Sequence, residues 1–210
     1  DKQFIKQLYI SNVQLLLIII IMKALRLEAF SDGVLAIIIT IMVLELKAPE
    51  ETNLKGLISI APIFISYIVS FVYVAIYWNS HHHLFQITEK VNRKILWANL
   101  HLLFWLSLIP FTTSWIGENH IESVPVALYG FVFLMSAISF LILKTLILKN
   151  HEKTAPIHQM IGSHKKEYAS LAIYIVGIGF AFINTYIAII CFMGVASVWF
   201  LTDTRIERKK

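Results

Sequence analysis

Long apolar runs, separated by short polar or charged segments, account for most of this chain. The runs are roughly 17–25 residues long, which is the length that an α-helix needs to cross the hydrocarbon core of a bilayer. Because they are apolar on all sides, charged boundaries and turn residues set their limits better than periodicity does. These boundaries predict four membrane spans, over residues 30–46, 57–79, 95–115 and 124–148.

Proline positions are compatible with these helices. Pro62 lies in the early turns of the second span and Pro125 lies at the start of the fourth, where a missing backbone N–H does little harm. Pro110 lies near the end of the third span, so it predicts a kink or an end of the helix there.

The last apolar block covers residues 168–202. At about 35 residues it is too long for one span and just long enough for two short ones. Asn184-Thr185 is the most polar point near its middle, which predicts a tight turn between spans 168–183 and 185–202. The alternative is one tilted helix with an overhang, which would give five spans instead of six.

The overall composition supports a membrane protein. Of the 210 residues, 58% are hydrophobic and 15% are charged, whereas a soluble domain is typically about 45–50% apolar. No segment between the runs is long enough for a soluble domain, so residues 22–210 are predicted to form one domain. The single cysteine, Cys191, excludes an intramolecular disulfide. The predicted fold class is all-α, a polytopic membrane protein with six transmembrane helices per subunit.

The lysines and arginines indicate how the spans are oriented. With six spans, all of them except Lys47 and Lys55 fall on the same side of the membrane, and that side is expected to be cytoplasmic. Both termini are then cytoplasmic, and the net charge of +5 reflects topology instead of a nucleic-acid partner. Five spans would place the basic cluster at 205–210 outside. The basic loop 144–166 is expected to be a solvated cytoplasmic face that contacts anionic lipid.

Residues 1–21 form an N-terminal extension to this domain. The apolar stretch at 13–21 is only about nine residues long, which is too short to span a bilayer. Three interpretations stay open: an interfacial helix, an extension of the first span, or foreign sequence ahead of Met22. No function is assigned to this segment.

Three motifs lie in the first half of the chain. The first span opens with Arg26-x-x-x-Phe30-Ser31-Asp32-Gly33, and the second ends with Trp78-x-x-His81-His82-x-x-Phe85. The third span carries Asn99 and ends with Pro110-Phe111-Thr112. In this order the motifs resemble those of the transmembrane protein 175 family, which are potassium-permeable channels with shorter six-helix forms in prokaryotes.

The resemblance implies a function and an assembly. It implies a channel that passes potassium and other monovalent cations passively across a prokaryotic inner membrane, with four identical subunits around a central pore. The first helix of each subunit would line that pore. The partners are then other copies of the chain and the lipid bilayer, with no nucleic acid, no cofactor, and K⁺ as the permeant ion. No segment resembles the backbone-carbonyl filter of ordinary potassium channels.

One face of the first span carries the residues expected to line the pore. At about 100° per residue, Ile37, Ile41 and Leu44 share a face, with Thr40 beside them. The family's branched pore-lining residues map to the three aliphatic positions. Rings of such side chains can close a pore by dewetting. Thr40 has the only hydroxyl in this stretch, so it is expected to carry any modest preference among cations.

The polar residues at the start of the first span require a separate explanation. Arg26 and Asp32 point about 120° apart on a helix, so they cannot pair with each other, and an unpaired buried charge is costly. We therefore expect the Phe-Ser-Asp segment to hydrogen-bond to His81 or His82, and to Trp78, and to hold the pore helix in place. Asn99 lies at the same level, and the predicted structural network comprises Arg26, Phe30, Ser31, Asp32, Trp78, His81, His82 and Asn99.

Three other classes of function are weighed against a channel, the third being a non-conducting scaffold that electrophysiology would distinguish. A metal-dependent membrane enzyme would need clustered ligands, but His81, His82 and His83 diverge by about 100° each and cannot easily close on one ion. No metal site and no catalytic arrangement is predicted, so the chain is not expected to be an enzyme. A secondary transporter or proton-coupled carrier would usually show internal repeats and ionisable sites near the membrane midplane, and the charges here lie at the span ends.

Overall fold

The computed structural model describes residues 2–88, 90–118, 121–151 and 164–207, with side chains from residue 23 to residue 201 within those ranges. This part of the chain is all helical, as predicted. The helices are α1 (Lys2–Leu44), α2 (Leu54–Ser59), α3 (Ala61–Gln86), α4 (Arg93–Ser107), α5 (Ile109–Glu118), α6 (Ser123–Lys149), α7 (Lys165–Phe180) and α8 (Thr185–Glu207). The side chains of the N-terminal extension and of the basic cluster at 205–210 lie outside the described residues.

Four stretches are long and apolar enough to cross a membrane. They are Lys23–Leu44, Ala61–Gln86, Arg93–Glu118 and Ser123–Lys149, and they correspond to the first four predicted spans. The last apolar block forms two shorter helices, because α7 has 16 residues and the apolar part of α8 is Thr185–Leu201. The chain is therefore a multi-pass membrane protein with at least four spans in its described part.

The second span differs from the prediction of 57–79. The residues before Pro62 form the separate short helix α2, and α3 begins with Pro62 in its first two positions, where proline has no N–H bond to lose. Instead of ending near Asn79, α3 continues through the three histidines to Gln86. Polarity alone did not end this helix, because His81 and His82 find partners in neighbouring helices, at Asn99 and Glu28.

The third span is interrupted at Leu108, between α4 and α5. Pro110 cannot donate to the carbonyl of Leu106, and that carbonyl instead accepts from the backbone N–H of Leu108. The regular hydrogen bonds of the α-helix resume at Thr112, whose backbone N–H donates to Leu108 O over 3.2 Å. Proline chemistry thus interrupts the helix near the position where the sequence predicts a kink or an end.

A tight turn at 181–184 separates α7 from α8. Asn184 Oδ1 accepts the backbone N–H groups of Tyr186 at 3.0 Å and Ile187 at 3.3 Å. This is the geometry of an N-cap, in which a side-chain oxygen satisfies the first free donors of a helix. The residue that suggested the turn is therefore also the residue that starts α8.

The helices pack in an order that places α1 at one side of the subunit. α1 contacts α3, α4 and α5, whereas α6 lies between α4 and α7, and α8 packs on α7 and α3. The rings of Tyr73, Phe133, Tyr174 and Phe192 pack together in the buried centre formed by α3, α6, α7 and α8, and Tyr73 stacks on Phe133. This aromatic cluster is therefore formed without α1.

Lys144 corrects the expectation of a solvated face over residues 144–166. It lies inside α6, is 5% exposed, and its ammonium donates to Glu167 Oε1 on α7. The prediction was wrong at this position because a buried carboxylate on a neighbouring helix makes the burial of a lysine tolerable. Lys149, Lys165 and Lys166 are exposed as expected.

Candidate functional site

The two faces of α1 have opposite environments within the subunit. Leu35, Ile38 and Met42 are at most 2% exposed because they pack on the neighbouring helices. Ile37 and Leu44, by contrast, are 58% and 77% exposed. We call Ile37, Thr40, Ile41 and Leu44 the open face of α1; all four side chains are exposed. The open face is apolar except for Thr40, and among the described residues nothing in the same subunit buries it.

The Thr40 hydroxyl donates to the carbonyl oxygen of Ile37 over 2.8 Å. This bond uses the proton of the hydroxyl group but leaves lone pairs on its oxygen. Thr40 Oγ1 therefore remains able to accept a hydrogen bond or to contact a cation on the exposed side of the helix.

The C-terminal end of α1 is joined to α5 by polar contacts. Ser114 Oγ donates to Glu45 Oε2 over 3.1 Å, and Lys47 pairs with Glu118 at 3.7 Å on the surface. An exposed pair of this kind contributes little energy. These contacts nevertheless fix the position of the chain just after Leu44.

A buried hydrogen-bond chain joins α1, α4 and α3 at Ser31. Ser31 Oγ donates to Leu27 O at 2.9 Å and accepts from Asn99 Nδ2 at 2.8 Å. Asn99 Oδ1 in turn contacts His81 Nε2 at 2.8 Å. Since the amide oxygen can only accept, His81 must carry its proton on Nε2. Ser31, Asn99 and His81 are each at most 1% exposed, so every one of these bonds is made away from water.

A second set of contacts joins α1 to α3 nearer the surface. Trp78 Nε1 donates to Asp32 Oδ1 over 3.0 Å, and the indole ring stacks on His82 with an interplanar angle of 10°. His82 Nδ1 bonds Glu28 Oε1 at 2.8 Å, and its Nε2 accepts from Gln86 Nε2 at 2.7 Å. This side of α1 is therefore held to α3 by two carboxylates one helical turn apart.

The structure brings most of the predicted network together, and Trp78 bonds Asp32 as predicted, but the histidines pair differently. Ser31 reaches His81 only through Asn99, and His82 bonds Glu28 instead of Ser31 or Asp32. Arg26 and Phe30 are exposed, and neither makes a polar contact with the described residues. We use the term brace for the residues that do connect the helices, namely Glu28, Ser31, Asp32, Trp78, His81, His82 and Asn99.

Glu28 and Gln86 were missed by the sequence analysis. Glu28 precedes Asp32 by four residues, so both carboxylates lie on the same face of α1. From this spacing it could have been predicted that Glu28 and Asp32 contact the same neighbouring helix. Among the described residues, no group of three histidine, cysteine, aspartate or glutamate side chains is placed to hold a metal ion.

Comparison with known proteins identifies the family. A family profile described as endosomal/lysosomal potassium channel TMEM175 matches residues 26–110, which include the first two motifs and the third as far as Pro110. A potassium channel of Chryseobacterium sp. is 55% identical over 183 residues, which cover 87% of this chain and 95% of that protein. The chain belongs to the TMEM175 family.

Other relatives extend the comparison within the family. A potassium channel of Chamaesiphon minutus is 30% identical over 80% of this chain and 89% of that protein. The chicken endosomal/lysosomal proton channel TMEM175 is 31% identical over 71% of this chain, but this match covers only 33% of the chicken protein. This is a family of channels, not of enzymes.

The fold agrees with a solved member of the family. The crystal structure of a lysosomal potassium-selective channel TMEM175 homologue from Chamaesiphon minutus matches with a TM-score of 0.74 and 27% identity. The match covers 86% of this chain and 97% of that one, so the likeness extends over nearly the whole helical arrangement.

Proposed function

We propose that this chain forms a potassium-permeable cation channel whose pore is lined by α1. One observation carries the proposal: α1 is a membrane helix that is packed on one face and bare on the other, and the bare face carries Ile37, Thr40, Ile41 and Leu44. The choice of ion rests on the bacterial relatives that match over most of their own length, which are named potassium channels, whereas the chicken relative is named a proton channel.

The proposed assembly is a homotetramer in a prokaryotic inner membrane. Each subunit crosses six times, with α7 and α8 as the last two spans and both termini in the cytoplasm. The concentration of lysine and arginine on one side of the six-span arrangement supports this orientation. Four copies of α1 would then meet at the symmetry axis and cover the open faces that no single subunit covers.

The open face would form a hydrophobic gate. Rings of isoleucine and leucine offer water no hydrogen bonds, so a narrow ring of this kind empties and excludes hydrated ions. A small rotation of α1 would move the side chains aside and let the passage fill. Four Thr40 oxygens beside the constriction would favour cations, since each oxygen keeps lone pairs free of its bond to Ile37.

The brace would determine the rotation of α1. Its contacts run from α1 to α3 and α4 on the side opposite the passage, so they hold the helix without contacting the ion. Residues that hold a pore helix in one rotation stabilise one state of the gate over the other. The brace is therefore proposed to be structural and gating in role.

Potassium flux into liposomes tests the proposal. Leu44→Ala should widen the constriction, and Ile41→Asn should give it a polar lining that stays wet, so both should raise the flux. Ile175→Ala on α7 is the control, because Ile175 is also an exposed aliphatic residue (60%) but lies away from α1. Flux that both α1 variants leave unchanged, or that saturates and is coupled to protons, would contradict a channel with this gate.

The oligomeric state needs a separate measurement. The mass of the detergent-solubilised protein should correspond to four chains. Oxidation of an Ile41→Cys variant in a Cys191→Ser background should give disulfide-linked dimers, whereas Ile175→Cys in the same background should not. A monomeric mass, or cross-linking only at position 175, would contradict the central placement of α1.

A further inference from the structure

A small cavity lies between α3, α6, α7 and α8, on the side of α3 turned away from α1. Ser80, which lines the cavity, is about 160–200° around the helix from Trp78 and His82, which contact α1. The cavity has a volume of about 30 Å³, and its walls include the rings of Tyr77, Phe140 and Trp199. It is therefore separate from the open face and from the brace.

Two polar atoms at this cavity have no hydrogen-bond partner among the described residues. They are Glu167 Oε2 and Ser80 Oγ, and both atoms are buried. The other carboxylate oxygen of Glu167 is bonded by Lys144, and Glu167 as a whole is only 6% exposed. A buried acceptor left unpaired costs free energy, so such groups are nearly always satisfied, if necessary by ordered water.

The size and chemistry of the cavity fit water. A cavity needs a volume of about 10–15 Å³ to hold one water molecule. The cavity volume of about 30 Å³ therefore has room for one or two water molecules. The hydroxyl of Ser170, which accepts from Trp199 Nε1 at 2.9 Å and donates to Lys166 O, lies in the same wall. A cation is disfavoured, because the Lys144 ammonium already lies against the carboxylate.

We propose that this cavity is a binding site for one or two ordered water molecules that join Glu167 Oε2 to Ser80 Oγ. The water would connect α7 to α3. Ser80 directly precedes His81, which bonds Asn99 in the brace. The water site would therefore contact the face of α3 that is turned away from α1, at the same level at which the opposite face of α3 contacts α1. In this way it would couple α7 and α8 to the gate.

A high-resolution structure of the assembled protein in lipid nanodiscs tests the occupancy directly. Density for water is expected within hydrogen-bond distance of both Glu167 Oε2 and Ser80 Oγ. It should disappear in Ala137→Leu, whose side chain would fill the space with apolar atoms. An empty cavity in the wild type, or density for a lipid tail or a metal ion, would overturn the proposal. This measurement needs no channel activity, so it is independent of the proposed function.

Potassium flux tests the coupling, and this part rests on the proposed function. Ser80→Ala removes one anchor of the water with little change in volume, and is expected to change the flux by roughly 2- to 30-fold, the range for residues that couple two sites. Ser197→Ala on α8 is the matched control, because its exposed hydroxyl bonds only its own helix, at Met193 O. Flux in Ser80→Ala within twofold of wild type would contradict the coupling. Normal responses of Leu44→Ala and Ile41→Asn alongside that result would show that the gate itself is correct.

Discussion

The indole N–H of Trp78 donates to the carboxylate of Asp32, and this bond joins α3 to α1 at the turn where the open face begins. The same ring stacks on His82, which bonds Glu28 one turn earlier on α1. One tryptophan thus supports both carboxylates, one by a hydrogen bond and the other through the histidine that it holds in place.

Replacing Trp78 by phenylalanine separates these two roles. Trp78→Phe keeps an aromatic ring against His82 but removes the only donor to Asp32 Oδ1 that the structure gives, at a cost of about 1 kcal/mol. We expect a slightly lower melting temperature in detergent and an altered potassium flux. Trp97→Phe on α4 is the control, since Trp97 is 64% exposed. Equal flux in the two variants would show that the bond to Asp32 does not influence the gate.

Thr40 provides a test of ion preference. Thr40→Val keeps the shape of the side chain but removes the oxygen, so potassium flux should persist while discrimination against sodium falls. Reversal potentials with potassium on one side and sodium on the other measure this directly. Thr145→Val is the matched control, because its hydroxyl also bonds its own helix, at Leu141 O, but lies on α6. An unchanged reversal potential in Thr40→Val would exclude Thr40 as the source of the preference.

Alanine substitutions at Gly177 and Gly179, both in α7, should have different effects on the stability of the protein. A Cβ at Gly177 would lie 2.5 Å from Phe192 Cε1, and Phe192 is fully buried and unable to move aside. Gly177→Ala should therefore destabilise the protein by about 1–3 kcal/mol. Gly179→Ala meets nothing within 4 Å and should be neutral or stabilising, by up to about 1 kcal/mol. Thermal unfolding of the two variants, compared under one condition, checks this; equal melting temperatures would contradict it.

The Lys144–Glu167 pair should show strong coupling in a double-mutant cycle. Lys144→Met leaves the Glu167 carboxylate buried without its partner and should cost about 3–5 kcal/mol. Lys144→Met combined with Glu167→Met removes both charges and should recover most of that loss, because buried pairs can often be replaced by apolar residues of similar volume. Thermal unfolding of the single and double variants provides the measurement. Additive losses would mean that the two side chains do not interact as the structure places them.

The sequence predicted the features that depend on local composition and on single residues that act on the neighbouring backbone. Runs of apolar residues predicted the first four spans, and Pro110 and Asn184 predicted the kink and the turn, because proline and asparagine act on the backbone next to them. The contact between Trp78 and Asp32 was also predicted, since both residues lie at the same end of neighbouring helices.

The exact pairing in the brace was not predictable in the same way. His81 and His82 differ by about 100° on α3, so only one of them can face α1, and the rotation of α3 decides which. That rotation depends on contacts with several other helices. They include the buried hydroxyl cluster where Ser70 bonds Thr113 on α5 and Tyr129 on α6. The Lys144–Glu167 pair was missed for a related reason, because the two residues are 23 positions apart and meet only when α6 and α7 pack.

The division of α1 into a packed side and a bare side has a consequence for how this protein tolerates change. A side chain on the bare side has few contacts with the described residues of its own subunit, so altering it should disturb protomer folding little. In the proposed channel, permeation chemistry could therefore vary independently of the scaffold that supports it. The opposite side of the same helix is constrained by α3, α4 and α5.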